Sequence, residues 1–306
     1  MKKGLLSIIS TFLFGSSNAQ TITDAPNAIA SSDDAWLEVY DRKSILVSCG
    51  GTREEILKTV EMAKEVAATG CIGGKWIVAD FCANGYGGNG RDFSKILELK
   101  DLATPLAEKG DKYAQFVLGQ FYMITSEDSA YHEWNDKAAA QGFRLAEMAN
   151  ALDYEQGITM PKDLGKSLEW YRKAAEHGDI EAMYNIAMFY EEGKGGVVTP
   201  NRQEAVQWLE KAAPSNHPMV LMTLGNLYLK MKENKKAYDC FYRAATQPIE
   251  CTQKRGGELN VGVCYEQGIG VTADKAQAAV WYQKVVDKGF SEAYNGARAG
   301  LQRLGK

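Results

Sequence analysis

A short motif returns along most of the chain at intervals of about 36 residues, and a period of that length is typical of stacked structural repeats. Segments with helical composition end in KAAEHG at Gly178 and in KAAAQG at Gly142, and related endings recur elsewhere. The position eight residues before each ending holds Met62, Leu102, Trp134, Trp170, Trp208, Cys240 and Trp281. Four of the six tryptophans therefore occupy one position of one recurring helix.

A different helix pattern precedes each of these endings. Residues 182–193 read AMYNIAMFYEEG, and residues 257–268 read GELNVGVCYEQG. The small residue at the start, the apolar–small pair four and five positions later, and the Tyr eight positions later fall on one helical face. Glycines end three of these segments, as expected where the chain must turn in a left-handed conformation, at Gly157, Gly193 and Gly268.

The combined pattern A-x-x-x-[LIV]-[GA]-x-x-Y-x-x-G, followed after a loop by A-x-x-W-[YL]-x-K-A-A-x-x-G, resembles the Sel1-like repeat, a relative of the tetratricopeptide repeat. The resemblance covers roughly residues 52–300, and units 114–142 and 218–247 depart from it in their loops. It implies an all-α fold, a right-handed α-solenoid of about six to seven stacked antiparallel helix pairs. The first helices would line its concave face, and residues 290–306 would form a closing helix.

The N-terminus has the features of a secretory signal peptide. Lys2 and Lys3 precede an apolar run of eleven residues, 4–14, and small residues stand at Ser17 and Ala19. We therefore expect cleavage after Ala19 and a periplasmic or secreted protein. Residues 20–35 are predicted to be a flexible lead-in and residues 36–306 a single repeat domain. No later segment is apolar over the length that a membrane-spanning helix needs.

Charge and motif content argue against several function classes. The chain has 35 basic and 39 acidic residues, a net charge of -4, without the basic stripe expected of a nucleic-acid partner. No G-x-S-x-G or S-x-x-K motif occurs, and the three histidines lack metal-ligand spacing. The glycine-rich segments 85–90 and 193–196 have no Walker spacing and are predicted to be loops between helices. We expect no enzyme activity, cofactor or metal.

Six cysteines in an exported chain permit disulfide bonds. Cys240 lies near the end of one predicted helix and Cys251 just beyond the following turn, so the pattern predicts a Cys240–Cys251 bridge. Cys264 occupies a core position and is predicted to be a buried free thiol. Cys49, Cys71 and Cys82 leave room for one further bridge or none.

A second stripe runs along the first helices, at the positions two and six residues after the small residue. These positions lie away from the predicted core face, and they favour either a partner groove or packing between neighbouring first helices. The residues predicted to bind a partner are Trp76, Phe116, Gln120, Met148, Tyr184, Met188, Met222 and Asn226.

The function predicted from these patterns is an exported repeat scaffold that binds a protein or peptide on its concave face. One alternative is a periplasmic immunity protein that neutralises a secreted antibacterial toxin. A second alternative is a cell-wall or β-lactam hydrolase, which no catalytic motif supports.

Overall fold

The structure, a computed structural model, describes residues 35–86, 91–289 and 292–306. The predicted signal peptide, 1–19, and residues 20–34 of the predicted lead-in lie outside the described residues. The described part begins with a helix at Ala35.

Fifteen α-helices make up the described part of the chain. They are α1 (Ala35–Ser48), α2 (Arg53–Ala68), α3 (Ile72–Ala83), α4 (Ser94–Glu108), α5 (Lys112–Thr125), α6 (Asp128–Ala140), α7 (Arg144–Gln156), α8 (Leu164–Glu176), α9 (Ile180–Glu192), α10 (Arg202–Ala212), α11 (Pro218–Lys230), α12 (Asn234–Ala245), α13 (Thr252–Gln267), α14 (Lys275–Asp287) and α15 (Glu292–Arg303). Two short 3-10 turns, Lys194–Gly196 and Ala213–Ser215, lie on either side of α10.

The helices alternate as the repeat predicts. All seven recurring positions from Met62 to Trp281 lie on the even-numbered helices from α2 to α14. The pattern that precedes each ending lies on the odd-numbered helices from α3 to α13, which we call the first helices. The predicted all-α fold of stacked helix pairs is confirmed.

The helix ends explain why the repeat has a fixed register. Gly157, Gly193 and Gly268 adopt φ angles of 71°, 64° and 72° and end α7, α9 and α13. Where the repeat lacks this glycine, Ser126 and Lys232 take the same left-handed conformation, with φ angles of 63° and 62°. The loops differ in sequence, but the reversal of the chain is the same.

Paired polar side chains connect the two helices of a repeat. The hydroxyl of Tyr171 on α8 donates to Glu155 on α7 at 2.5 Å, and Tyr282 on α14 donates to Glu266 on α13 at 2.6 Å. Each Tyr directly follows a recurring Trp, and each Glu directly follows the Tyr of the first helix. The sequence pattern thus encodes a specific hydrogen bond in addition to apolar packing.

The described residues form two compact units. Unit 1 contains residues 35–44, 53–86 and 91–200, and unit 2 contains residues 45–52, 201–289 and 292–306. The predicted repeat region, 36–306, therefore comprises two compact units. In unit 2, α15 packs its Ala297 and Leu301 against Tyr282 and Val285 of α14, where a closing helix was expected.

Candidate functional site

Residues 35–44 of helix α1 belong to unit 1 and contact its first helices α3, α5 and α7. The Trp36 ring is completely buried, 5.8 Å from the ring of Tyr113 and 6.0 Å from that of Phe143. Gly73 on α3 makes room for it, since a side-chain carbon there would come within 2.2 Å of the indole. The tryptophan therefore anchors α1 against the start of α3, α5 and α7.

Three buried ion-pair groups hold α1 further along. The Arg144 guanidinium lies 2.8 Å from Asp41 of α1 and 3.2 Å from Asp179. Arg42 pairs with Glu55 at 2.6 Å, and Lys43 pairs with Asp80 of α3. Burial raises the pKa of Asp41 to about 8, although the nearby Arg144 lowers it. One guanidinium shared by two buried carboxylates does not fully offset their desolvation.

The stripe predicted to bind a partner therefore divides into two parts. Trp76, Phe116, Gln120 and Met148 are at most 5% exposed, and the Phe116 ring packs 5.3 Å from Phe143 and 6.5 Å from Trp76. These four side chains are interior residues of unit 1 and present no surface to a partner in this conformation. The other four keep solvent contact: Tyr184, Met188 and Met222 are partly exposed, and Asn226 is exposed.

An open cleft of about 760 Å³ lies elsewhere in unit 1, beside α8. Its base is one face of α7, and its sides are the end of α6, the loop after α7 and one face of α8. The lining residues are Asp136, Ala139, Ala140, Gln141, Gly142, Glu147, Asn150, Tyr154, Met160, Trp170, Lys173 and His177.

A hydrogen-bond network fixes the polar side of this cleft. Nδ1 of His177 lies 2.8 Å from Oε2 of Glu147, whose side chain is almost fully buried. The amide of Asn150 donates to Asp136 at 2.9 Å and accepts from Asn135 at 2.8 Å. Burial raises the pKa of Glu147, against the lowering effect of the His177 contact. These groups are held in place without a ligand, which is what a preformed binding site requires.

The other side of the cleft is aromatic. The Lys173 ammonium lies 3.7 Å from the centre of the Trp170 ring, and Tyr154 and Met160 complete the apolar surface. The same Trp-x-x-Lys pair recurs on the other second helices, with distances of 3.7 to 4.0 Å, at Trp134–Lys137, Trp208–Lys211 and Trp281–Lys284. The cleft thus contains one of four equivalent cation–π pairs.

None of the eight residues predicted from the sequence lines this cleft. Tyr154 and Trp170 occupy the two positions that recur most regularly in the repeat, so the pattern does not set them apart from the same positions of other repeats. The overlooked signal is polar: Glu147, Asn150 and Tyr154 share one face of α7 at a spacing of three and four residues. The other residues of this helix face are small or apolar. A Glu and an Asn among them indicate polar side chains that need hydrogen-bond partners inside the fold, and such groups can form part of a binding site.

All six cysteines are free thiols in the structure, and the Cys240–Cys251 bridge stays a prediction. Cys240 is buried on α12, where burial raises its pKa to about 11. Cys251 instead lies against Cys49, because the residues after α1 pair with the residues before α13. Cys264 is buried, as its core position predicts.

Within ranges 35–86, 91–289 and 292–306, no three His, Cys, Asp or Glu side chains are grouped so that they could hold a metal ion. Over the same ranges, no helix has the length and apolar character needed to cross a membrane.

The chain matches the Sel1 repeat family over residues 143–179, 180–217, 230–248 and 257–290. It carries Sel1 repeats. The first of these, 143–179, supplies seven of the residues that line the cleft, from Glu147 to His177. The cleft is thus built mainly from one Sel1 repeat and the end of the helix before it.

Sequence relatives of this Sel1-repeat chain include two eukaryotic proteins. DAP3-binding cell death enhancer 1 of Rattus norvegicus is 31% identical over 212 residues, which are 68% of this chain and 41% of the relative. Chitin synthase regulatory factor 3 of Schizosaccharomyces pombe is 27% identical over 195 residues, 59% of this chain and 20% of the relative. The chain therefore spans between one fifth and two fifths of these proteins, which are named for binding and regulation.

A solved structure supports the same architecture. The crystal structure of a protective antigen present in uropathogenic Escherichia coli strains, which displays an SLR fold, superposes with a TM-score of 0.55. The two chains are 23% identical, and the alignment covers 87% of this chain and 63% of the antigen. This similarity concerns the fold alone.

Proposed function

We propose that the protein is an exported, non-catalytic scaffold that holds a peptide segment of a partner protein in the cleft beside α8. The observation that carries the proposal is the cleft itself, which combines a fixed polar network with an aromatic surface on a Sel1 repeat. Peptide sites of this kind take an apolar side chain on the aromatic part and bind the backbone and polar groups on the other part.

The contacts of the cleft define the kind of segment it would take. Trp170, Tyr154 and Met160 offer apolar surface for one large side chain. Lys173 offers N–H donors at the rim, while His177 and Glu147 are already paired with each other. We therefore expect an extended segment with an apolar residue beside a carboxylate.

Helix α1 makes the cleft a better candidate than the first-helix stripe. Four stripe residues, Trp76, Phe116, Gln120 and Met148, are buried, and α1 packs against the helices that carry them through Trp36 and the ion pairs of residues 41–43. A partner could reach Phe116 or Met148 only if these buried side chains became exposed. The cleft needs no such change. Tyr184 and Met188, the partly exposed stripe residues of unit 1, are the second candidate surface.

Selection from a displayed peptide library tests the site directly. Purified protein would be used to select peptides, and their affinities would be measured by calorimetry for wild type, Trp170→Ala and Trp208→Ala. Trp208 is the matched control because it makes the same Trp–Lys pair on α10 and does not line the cleft.

We expect Trp170→Ala to weaken binding at least tenfold, since buried aromatic anchors contribute about 2 kcal/mol or more at interfaces. Trp208→Ala should leave the affinity within about twofold of wild type, because it alters no contact of the site. Equal affinities for all three proteins would place the binding surface elsewhere. Loss of binding with Tyr184→Ala alone would favour the stripe.

Export and the biological role are further parts of the proposal. The N-terminal pattern of residues 1–19 supports export, which fractionation of cells producing the full chain and a variant lacking 1–19 would test. Accumulation of both forms in the same compartment would contradict export.

Neutralisation of a secreted antibacterial toxin is one role that such a scaffold can serve, and an adjacent toxin gene would favour this role. Turnover of a penicillin-like or peptidoglycan substrate by the purified protein would contradict the non-catalytic part.

A further inference from the structure

The residues that follow α1 join unit 2 by pairing with the residues that precede α13. The Thr252 amide donates to the carbonyl of Cys49 at 2.8 Å, and the Thr52 amide donates to that of Glu250 at 3.3 Å. Gly51 and Cys251 face each other in an antiparallel bridge. Residues 45–52 are thus held in unit 2, although the rest of this unit begins only at residue 201.

This pairing brings two thiols together. Cys49 and Cys251 are at most 1% exposed, and the Cys49 thiol lies against that of Cys251. Ser48 Oγ lies 3.6 Å from Cys49 Sγ and 3.4 Å from Nε2 of the buried His217. No other pair of cysteines among the described residues shows such a contact, and Cys71 and Cys82 belong to unit 1.

The two thiols differ in their surroundings. Cys251 is the residue before the first turn of the 16-residue helix α13, and the backbone amides of Gln253 and Lys254 face its sulfur. The hydrogen bond from Cys49 and these amides lower the pKa of Cys251, while burial raises the pKa of Cys49. The start of α13 favours negative charge, which makes Cys251 the sulfur that reacts first as a thiolate.

We propose that Cys49 and Cys251 form a reversible disulfide bond that fastens residues 45–52 to the start of α13. The oxidant is a disulfide, either of a small molecule such as oxidised glutathione or of a thiol oxidoreductase. The Cys251 thiolate attacks one sulfur of the oxidant, whose S–S bond breaks and releases one thiol. Cys49 then loses its proton, its sulfur attacks that of Cys251, and the second thiol leaves. Two electrons and two protons pass to the oxidant, which ends as two thiols.

Burial determines when this exchange can occur. Both sulfurs are inaccessible once residues 45–52 have docked, so an oxidant reaches them during folding or when this segment opens. A bond formed then is reduced only when this segment opens again. Since it closes a chain segment of about 200 residues, it restricts the unfolded state strongly in the chain-entropy description.

Refolding under redox control tests the proposal. The full chain would be refolded from denaturant in a glutathione buffer, alkylated, digested without reduction and mapped by mass spectrometry. We expect a peptide that links Cys49 to Cys251, and a melting temperature about 10 °C above that of the reduced protein. Cys49→Ala and Cys251→Ala should abolish the redox-dependent shift, whereas the matched buried control Cys264→Ala should keep it.

Several results would overturn the proposal. They are a Cys240–Cys251 link, alkylation of both Cys49 and Cys251 in protein refolded under oxidising conditions, or a redox-dependent shift that persists in Cys49→Ala. Peptide mapping of the wild-type chain decides the matter even if a cysteine variant fails to fold.

Discussion

Helices α5 and α9 of unit 1 carry the same pattern at the same positions, yet their stripe residues have different surroundings. Phe116 on α5 is completely buried in an aromatic cluster with Phe143 and Trp76. Tyr184, its equivalent on α9, is partly exposed. The repeat therefore sets the direction of a side chain, but the residues that surround it differ from one repeat to the next. In unit 1, Trp36 of α1 adds a ring to the aromatic cluster at Phe143.

The contact between α1 and Arg144 offers the largest test of this comparison. Arg144→Met leaves the buried Asp179 without its cation and removes the contact of Arg144 with Asp41, which should lower the free energy of unfolding by about 3–5 kcal/mol. Lys137→Met, which breaks an ion pair with Glu133 whose side chains are 45% and 60% exposed, should cost at most about 1 kcal/mol. Urea denaturation followed by circular dichroism measures both. Equal losses would mean that α1 contributes little to the stability of unit 1.

The equivalent positions of α5 and α9 provide the second test. Phe116→Ala should cost about 3–5 kcal/mol, as expected for a buried aromatic side chain that leaves a cavity. Tyr184→Ala should cost less than half as much, because part of the side chain already contacts water. The same denaturation experiment compares them. A comparable loss in both variants would assign Tyr184 to packing and remove it from the candidate partner surface.

These two tests concern the part of the molecule that the sequence predicts least well. The register of the repeat positions from Met62 to Trp281 is sufficient to predict the alternating helices, because each position has the same local neighbours. Helix α1 lies before the region of resemblance, and its charges are buried only because Arg144, about 100 residues later, and Asp80 meet them. Long-range contacts of this kind leave no periodic signal.

The candidate cleft was missed for a related reason. Recurrence does not set Tyr154 and Trp170 apart, because their counterparts in other repeats occupy the same positions. What distinguishes this repeat is the pair Glu147 and Asn150, each satisfied by a residue of a neighbouring helix. A single sequence shows these two polar residues but not the residues they pair with.

Titration of Asp41 tests the α1 contact through pH. Because burial raises the pKa of Asp41 to about 8 in the folded protein, the native state retains a proton that the unfolded chain has released. The stabilising protonated form is present at low pH, and stability is lost as the pH rises through about 8. Asp41→Asn should remove this dependence, which amounts to at most about 1.4 kcal/mol per pH unit.

The measurement for Asp41 is the free energy of unfolding between pH 6.5 and 8.5, for wild type and Asp41→Asn. Asp153, whose pKa burial raises to about 6, titrates mostly below this range and is common to both proteins. Parallel pH profiles for the two proteins would show that Arg144 keeps Asp41 ionised throughout.

The smallest expected effect concerns the surfaces that α1 does not reach. Lys173→Gln on α8 and Lys211→Gln on α10 each remove an ammonium group from the face of a partly exposed tryptophan. Each change should cost about 0.5–1 kcal/mol, because a cation–π contact at an exposed site contributes no more than that. Thermal and urea denaturation should therefore show two nearly identical variants. A clearly larger loss for Lys173→Gln would mean that Lys173 supports the polar network of Glu147 and His177. The weaker binding expected of cleft variants would then have to be separated from a change in the folded structure.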